Sequence, residues 1–161
     1  MKNEAYKTDM NKAEIEDKVE LFRETFREKG FKITPQRTEI YKALLKSGDH
    51  PSAETVYERV KEEFPDVSFD TVNRTLLTLC DVGLAFVVEG SSRARRFDAN
   101  TNEHQHFKCI KCKRILDLHH RPFENIPLPE EVESGFKVLR KSVYVEGICN
   151  KCLQDEKAGT K

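Results

Sequence analysis

The sequence has no long apolar run, no net charge and only five cysteines, and each of these features bears on the classes of function that the protein can have. No apolar segment approaches membrane-spanning length, and the opening residues MKNEAYKTDM lack the apolar core of a signal peptide. We therefore expect a cytoplasmic protein without a membrane partner. The formal net charge is zero, so a nucleic-acid partner is neither favoured nor excluded, because a local basic stripe matters more than the sum.

Four of the five cysteines form two C-x-x-C pairs. Cytoplasmic thiols stay reduced, so paired cysteines favour metal binding over disulfides. Four thiolates closing a tetrahedral shell are typical of structural zinc. The predicted zinc ligands are Cys109, Cys112, Cys149 and Cys152. The fifth, Cys80, is predicted to be a small buried apolar residue without chemistry.

A second metal is indicated by an H-x-H just before the first cysteine pair. In an extended strand His104 and His106 project from one face, because side chains repeat every second residue. Imidazole and carboxylate donors suit iron, manganese, zinc and nickel, so this site selects a different ion from the sulfur site. His119 and His120 follow closely and are predicted to lie on the surface; the alternative is that they are additional ligands, because they are close in sequence to Asp117.

Apolar residues recur at helical spacing in four segments before residue 84, each with start or stop signals. The predicted helices run from Glu14 to Gly30, from the N-cap Thr34, from the N-cap Ser52 towards Pro65, and through SFDTVNRTLLTLCDVG. Two short β-rich segments, LAFVVEG and RARRFDA, then flank a turn at residues 90–92 and predict a hairpin.

Helices followed by a hairpin are the element order of a winged-helix DNA-binding domain. The exposed face of the fourth helix, with Asn73 and Arg74, would then enter a major groove. Hairpin arginines suit phosphates; they are Arg93, Arg95 and Arg96. The alternative is that the helical stripes are only core and the arginines only solvated.

The fold class predicted is α+β, with an N-terminal winged-helix domain and a small C-terminal α/β domain around the four-cysteine zinc site. Residues 1–97 form the first domain, with residues 1–13 frayed, and residues 98–103 form a polar hinge. Residues 104–153 form the second domain and residues 154–161 a polar tail. In the second domain we expect strands in HFKCI and RILDL, a short proline-broken helix in PFENIPLPEEVESG, and one long strand in FKVLRKSVYVEGIC.

Several motifs together resemble the ferric uptake regulator (Fur) family. They are ITPQR, HPSAETVY, T-V-N-R-T-L, and H-x-H-F-x-C-x-x-C-x-x-I-x-D with a distant C-x-x-C, in this order between about residue 20 and residue 153. The resemblance implies a dimeric, metal-dependent transcriptional repressor whose C-terminal domain dimerises. Its partners would be a second copy of the chain and a palindromic, A·T-rich, double-stranded operator DNA.

Within the family the chain is most similar to the peroxide-sensing PerR branch. That resemblance implies a regulatory Fe(II) or Mn(II) at His50, Asp98, His104, His106 and Asp117. It also implies that peroxide oxidises His50 or His104 in the iron form. Iron-sensing relatives more often carry glutamate at the two aspartate positions and histidine where Lys141 stands. The alternative is an iron-responsive or other metal-responsive repressor that does not sense peroxide.

One departure from the family concerns the fourth helix, where Asn73 replaces the usual tyrosine. Asparagine can hydrogen-bond an adenine edge in bidentate fashion, so the preferred operator is expected to differ. Two functions of other classes are alternatives. A zinc deaminase needs H-x-E followed by P-C-x-x-C, which the sequence lacks, and catalytic zinc usually has three protein ligands, so no enzyme is expected. The second of these functions is that of an interaction module that is stabilised by zinc and does not bind DNA.

Overall fold

The computed structural model describes residues 10–88, 95–102, 104–139 and 141–159. Its contacts divide the chain into two compact units, with the division between Thr101 and Asn102. In the N-terminal unit the described elements are α1 (Lys12–Glu28), α2 (Pro35–Leu45), α3 (Ala53–Lys61), α4 (Phe69–Asp81), β1 (Phe86–Val88) and β2 (Arg96–Asp98).

Each of the first four helices begins at a polar N-cap. Asn11 and Glu14 form a reciprocal capping box, whereas Thr34, Ser52 and Ser68 each accept a hydrogen bond from the backbone N–H three residues later. The predicted starts are thus confirmed, except that α1 begins at Lys12. The prediction of a frayed segment is wrong for residues 12 and 13, because the capping box extends the helix; residues 1–9 lie outside the described residues.

Two glycines end helices in left-handed conformations that side chains rarely adopt. Gly30 follows α1 with φ +73°, and Gly83 follows α4 with φ +79°. Beyond α1, the N–H of Phe31 returns to the carbonyl of Phe26 at 2.8 Å, which satisfies an unpaired carbonyl of the last turn. Both stops agree with the sequence prediction.

The core of the N-terminal unit lies between the four helices and the hairpin. Phe22 of α1 stacks on Tyr41 of α2, with ring centroids 5.4 Å apart. Other wholly buried apolar side chains come from the four helices and both strands: Phe26, Ile40, Leu44, Val56, Val60, Val72, Leu76, Leu79, Val88 and Phe97. Each such burial removes apolar surface from water and contributes about 1.5 to 3 kcal/mol relative to exposure.

The predicted hairpin is present. Strands β1 and β2 pair antiparallel, with Val87 opposite Phe97. Phe97 is wholly buried and anchors the second strand to the helical core. The predicted turn at residues 90–92 lies outside the described residues. Four helices and this hairpin confirm the winged-helix fold of the unit.

The described elements of the C-terminal unit are β3 (Gln105–Cys109), β4 (Ile115–Leu118), α5 (Arg121–Glu124), α6 (Glu130–Gly135), β5 (Tyr144–Gly147) and α7 (Asn150–Gly159). The strands form one sheet in the order β4-β3-β5. The central β3 pairs antiparallel with β4 and parallel with β5. This mixed α/β unit agrees with the predicted fold class.

Two predictions for this unit need correction. The prediction of one long strand over residues 136–149 is wrong. Strand β5 covers only Tyr144–Gly147, the residues that pair with β3. The polar tail is mostly helical, because α7 continues to Gly159. The helix broken by prolines is confirmed as α5 and α6, separated by the segment that contains Pro127 and Pro129. Across the described residues, every helix is too short or too polar to cross a bilayer.

Candidate metal centres

The four predicted zinc ligands converge in the C-terminal unit. Their sulfurs all lie within 4.8 Å of one another. Cys109 and Cys152 are 3.9 Å apart at Sγ, and Cys112 and Cys149 are 3.8 Å apart. A tetrahedral zinc with bonds of about 2.3 Å needs sulfurs about 3.8 Å apart. The cluster therefore has the donor type and spacing of a structural zinc site.

Parallel pairing of β3 and β5 brings the two cysteine pairs together. Cys109 ends β3 opposite Gly147 at the end of β5, two residues before Cys149. The first pair is completed by a tight turn in which Lys113 adopts a left-handed φ of 62°. Cys152 lies in the first turn of α7. The sheet register thus sets the spacing of the sulfurs.

Hydrogen-bond donors around the cluster favour thiolate. Burial raises the pKa of Cys109, but backbone N–H donors, including that of Cys149 at 3.4 Å, lower it to about 6. The pKa of Cys149 is lowered despite its burial. Burial and neighbouring thiols raise the pKa of Cys152 to about 12. The metal-free cluster therefore retains protons, which zinc would displace.

The sequence did not predict a role for Arg114 at the sulfur cluster. Arg114 donates from Nη2 to Sγ of Cys149 at 2.8 Å, and this hydrogen bond raises the pKa of the guanidinium. The positive charge of Arg114 offsets part of the net negative charge that remains when four thiolates bind one divalent ion. The available signal was its position two residues after Cys112, at the start of a predicted strand.

The C-terminal unit also brings together three of the predicted regulatory ligands. Nε2 of His104 lies 3.0 Å from Nε2 of His106, and these atoms are 3.5 and 3.7 Å from Oδ1 of Asp117. Adjacent donors on an octahedral ion with bonds of about 2.1 Å lie about 3 Å apart. His106 opposes Asp117 across the β3–β4 ladder, so strand register sets this arrangement. The predicted common face of the two histidines is confirmed.

The hydrogen bond at the other ring nitrogen of His104 favours metal binding. Its Nδ1 lies 2.8 Å from the carbonyl of Asn102, an acceptor that requires a proton on Nδ1. In the neutral ring Nε2 then presents its lone pair towards His106 and Asp117. The ring of His106 is held by stacking on Tyr144, with centroids 5.6 Å apart.

The other two predicted ligands lie in the N-terminal unit. Nε2 of His50 is 3.5 Å from Oδ2 of Asp98, and both residues are buried. The second oxygen of Asp98 accepts the N–H of Asn100 at 2.7 Å, which orients the carboxylate. The five residues thus form a three-member and a two-member group, one in each unit. Their nitrogen and carboxylate donors suit a regulatory iron or manganese, whereas the sulfur cluster suits zinc.

The predicted DNA-contacting residues are placed differently from one another. Asn73 is half-buried on α4, whereas Arg74 is exposed and pairs with Asp70 one turn earlier. Arg95 is exposed. Arg96 is half-buried and donates to the carbonyl of His50 at 3.1 Å. Arg93 lies outside the described residues.

Of the remaining candidates, Cys80 is only half-buried and not fully buried as the sequence predicts. Cys80 packs against the helical core, and burial together with the charge of Asp81 raises its pKa to about 11. A thiol held in its protonated form is a poor nucleophile and metal ligand. His119 and His120 are both exposed.

Comparison with known proteins agrees with this geometry. The model of the ferric uptake regulator family matches residues 28–146. The peroxide operon regulator of Bacillus subtilis is 32% identical over 133 residues, covering 83% of this chain and 92% of that protein. The peroxide-responsive repressor PerR of Staphylococcus epidermidis is 29% identical over 141 residues, covering 88% of this chain and 94% of that protein.

Among solved structures, the ferric uptake regulator Fur of Helicobacter pylori superposes with a TM-score of 0.72 at 25% identity. The match covers 86% of this chain and 93% of that chain, and that protein is described as having three functional metal binding sites. The family match begins at the end of α1 and continues through the winged helix, both histidine–aspartate groups and the first cysteine pair into β5. The chain therefore belongs to the ferric uptake regulator family.

Proposed function

We propose that this chain is a metal-dependent transcriptional repressor that binds operator DNA as a cytoplasmic homodimer and releases it on exposure to peroxide. The observation that carries the proposal is the grouping of His104, His106 and Asp117, with two imidazole nitrogens 3.0 Å apart. A regulator rather than an enzyme is proposed, because three ligands from this group and two from His50 and Asp98 leave an octahedral ion only one position for an outside molecule.

In the proposed mechanism one ion binds both groups and so links the two units. His50 and Asp98 are supplied by the winged-helix unit, and the other three ligands by the C-terminal unit. Metal binding would then select one arrangement of the two units in each protomer. In a dimer that arrangement sets the separation of the two α4 helices, which must match half-sites about 34 Å apart or a multiple of it. Metal binding and DNA binding are then linked: operator DNA raises the affinity for the metal by the same factor as the metal raises the affinity for the operator.

The DNA partner is proposed to be a palindromic, A·T-rich duplex. α4 would lie in the major groove, with Arg74 exposed at its surface and Asn73 able to read an adenine. The exposed Arg95 on the wing would contact phosphate, as would Arg93. Two-fold symmetry of the dimer implies two-fold symmetry of the operator.

Exposed apolar side chains in the C-terminal unit support dimerisation there. Leu139 is 85% exposed and Phe136 is 71% exposed. Both precede β5, which lies at the edge of the sheet formed by the described strands. Light scattering of Leu139→Glu tests this role: we expect loss of the dimer, with Lys137→Glu as a control for added charge. A dimeric Leu139→Glu protein would move the interface elsewhere.

Peroxide sensing would depend on the ligand histidines. Fe(II) held by these residues would supply the one-electron chemistry that cleaves peroxide, which Mn(II) would not supply. One oxygen atom of hydrogen peroxide is then added to a ring carbon of His50 or His104, and the other leaves as water. The oxidised imidazole is a poorer ligand, so metal affinity falls and the link between the units is lost.

Mass spectrometry of peptides after low-dose peroxide tests this proposal on the Fe(II) and Mn(II) forms. We expect one added oxygen on His50 or His104 in the Fe(II) form alone, together with loss of operator binding. His120, which is exposed and is not a proposed ligand, is the internal control. Oxidised cysteines with intact histidines would instead indicate a thiol switch.

A second candidate is a repressor that responds to iron itself. The likeness to the Helicobacter pylori ferric uptake regulator favours it. The same experiment separates the two candidates, because an iron-responsive repressor would bind DNA with Fe(II) and show no histidine oxidation. A chain that binds no operator with either metal would exclude both.

A further inference from the structure

The second wing strand is hydrogen-bonded to the segment that carries His50. Arg96 donates from Nη1 to the carbonyl of His50 at 3.1 Å. The N–H of Phe97 donates to the carbonyl of Pro51 at 3.0 Å. Ser52 and Arg96 also form an isolated antiparallel bridge. Three successive residues of the α2–α3 loop are therefore connected to β2.

The backbone of His50 is strained and needs such support. Its φ is +49°, in the left-handed region that L-residues other than glycine rarely adopt. The following residue is Pro51, and a residue before proline favours extended backbone instead. His50 is also 96% buried, so its carbonyl requires a protein donor. The Arg96 guanidinium supplies that donor.

Two side chains of strand β2 interact with the same residue, His50. Arg96 and Asp98 are two residues apart, so their side chains leave the strand on one face. Arg96 holds the His50 backbone, and Asp98 places a carboxylate oxygen 3.5 Å from the His50 ring. Phe97, between them, is wholly buried and fixes the strand in the core.

We infer that Arg96 is a positioning residue for the regulatory metal rather than a phosphate contact. Its hydrogen bond holds His50 in the conformation that faces Asp98, and through β2 it joins the metal ligands to the wing. The inference rests on the proposed function, and it reassigns one of the three wing arginines that the sequence predicts to contact DNA.

Three variants of the full-length, zinc-loaded dimer test the inference. Arg96→Gln removes the charged donor, Arg96→Lys retains a donor, and Arg95→Gln removes the neighbouring exposed arginine as a matched control. Two quantities are measured: Mn(II) affinity of the DNA-free protein by calorimetry, and the dependence of operator binding on salt at saturating Mn(II). Zinc content and the thermal unfolding of the Mn-free protein show whether each variant is folded.

We expect Arg96→Gln to bind Mn(II) about 10-fold to 100-fold more weakly, the usual loss when a residue supporting a metal ligand is removed. Arg96→Lys should recover much of that affinity, and Arg95→Gln should bind Mn(II) as the unmodified protein does. The salt slope should stay unchanged in both Arg96 variants and fall by about one in Arg95→Gln.

Any of three results overturns the inference. Unchanged Mn(II) affinity in Arg96→Gln, with a salt slope lowered by about one, would make Arg96 a phosphate contact and leave the proposed function intact. If Arg96→Gln fails to fold, Arg96→Lys decides, because lysine retains a phosphate contact but replaces the guanidinium that donates to the His50 carbonyl: Mn(II) affinity below that of the unmodified protein at a normal salt slope supports positioning, and unchanged Mn(II) affinity contradicts it. Absence of Mn(II) binding by the unmodified protein would overturn the proposed function as well.

Discussion

Arg114 and Cys149 are joined by a hydrogen bond of 2.8 Å between guanidinium and sulfur. Arg114 directly precedes β4, and Cys149 follows β5, so the contact spans the sheet on either side of β3. Four thiolates around one divalent ion carry a net charge of −2, which a fixed cation offsets. The zinc site therefore extends beyond its four sulfurs.

Replacing this cation should weaken zinc retention. For Arg114→Gln we expect about 10-fold to 100-fold faster loss of zinc to a chelator, because the thiolate charge loses its strongest donor. Release is followed with a colorimetric zinc indicator. Arg121→Gln, an exposed arginine on α5, is the control. Equal release rates in all three proteins would show that Arg114 does not support the site.

Removing one zinc ligand should release the ion. Cys109→Ser is expected to lose bound zinc and to destabilise the C-terminal unit, because metal binding contributes folding free energy there. Elemental analysis and circular dichroism provide the measurement. Cys80→Ser, which changes the cysteine outside the cluster, should retain one zinc per chain. A Cys109→Ser protein with full zinc content would contradict the four-cysteine assignment.

Asn73 should affect operator sequence preference more than overall affinity. Asn73→Ala is expected to cost about 1–3 kcal/mol at one adenine position and to leave the salt slope unchanged. Competition binding against a library of operator variants measures the preference. Asp81→Asn, at the far end of α4, should leave the preferred sequence as it is. An unchanged base preference in Asn73→Ala would place Asn73 outside the base contacts.

The helical core should be sensitive to a cavity at α2. Leu44 is 1% exposed, and Leu44→Ala is expected to lower the free energy of unfolding by about 2–5 kcal/mol. Urea denaturation followed by circular dichroism measures the change. Leu21→Ala removes the same atoms from a half-exposed position on α1 and should change stability by less than about 0.5 kcal/mol.

Stability at high pH should depend on Tyr41. Burial raises the pKa of its hydroxyl from 10.0 to about 12. The folded-state pKa lies above the unfolded value. The protonated Tyr41 hydroxyl therefore contributes fully to the free energy of unfolding below pH 10, and this contribution is lost as the pH rises towards 12. The free energy of unfolding should fall by up to roughly 2–3 kcal/mol across that window. The fall should be smaller in Tyr41→Phe, and an identical pH profile in that variant would assign the loss to other groups.

Much of the fold follows from local signals. The helix starts at Thr34, Ser52 and Ser68 and the stops at Gly30 and Gly83 depend on neighbouring residues, so sequence alone predicted them. Likewise, the spacing within each C-x-x-C indicates a metal whatever the surrounding fold. The H-x-H needed only an extended strand to place both imidazoles on one face.

The helices, their caps and the types of metal donor are predictable from the sequence, because each depends on residues a few positions apart. The tertiary structure was needed for the parallel register of β3 and β5, which brings together Cys109 and Cys149 from positions 40 residues apart. It also decided that β5 is short and that Arg96 lies against the His50 carbonyl, because strand length and side-chain partners depend on elements distant in the chain.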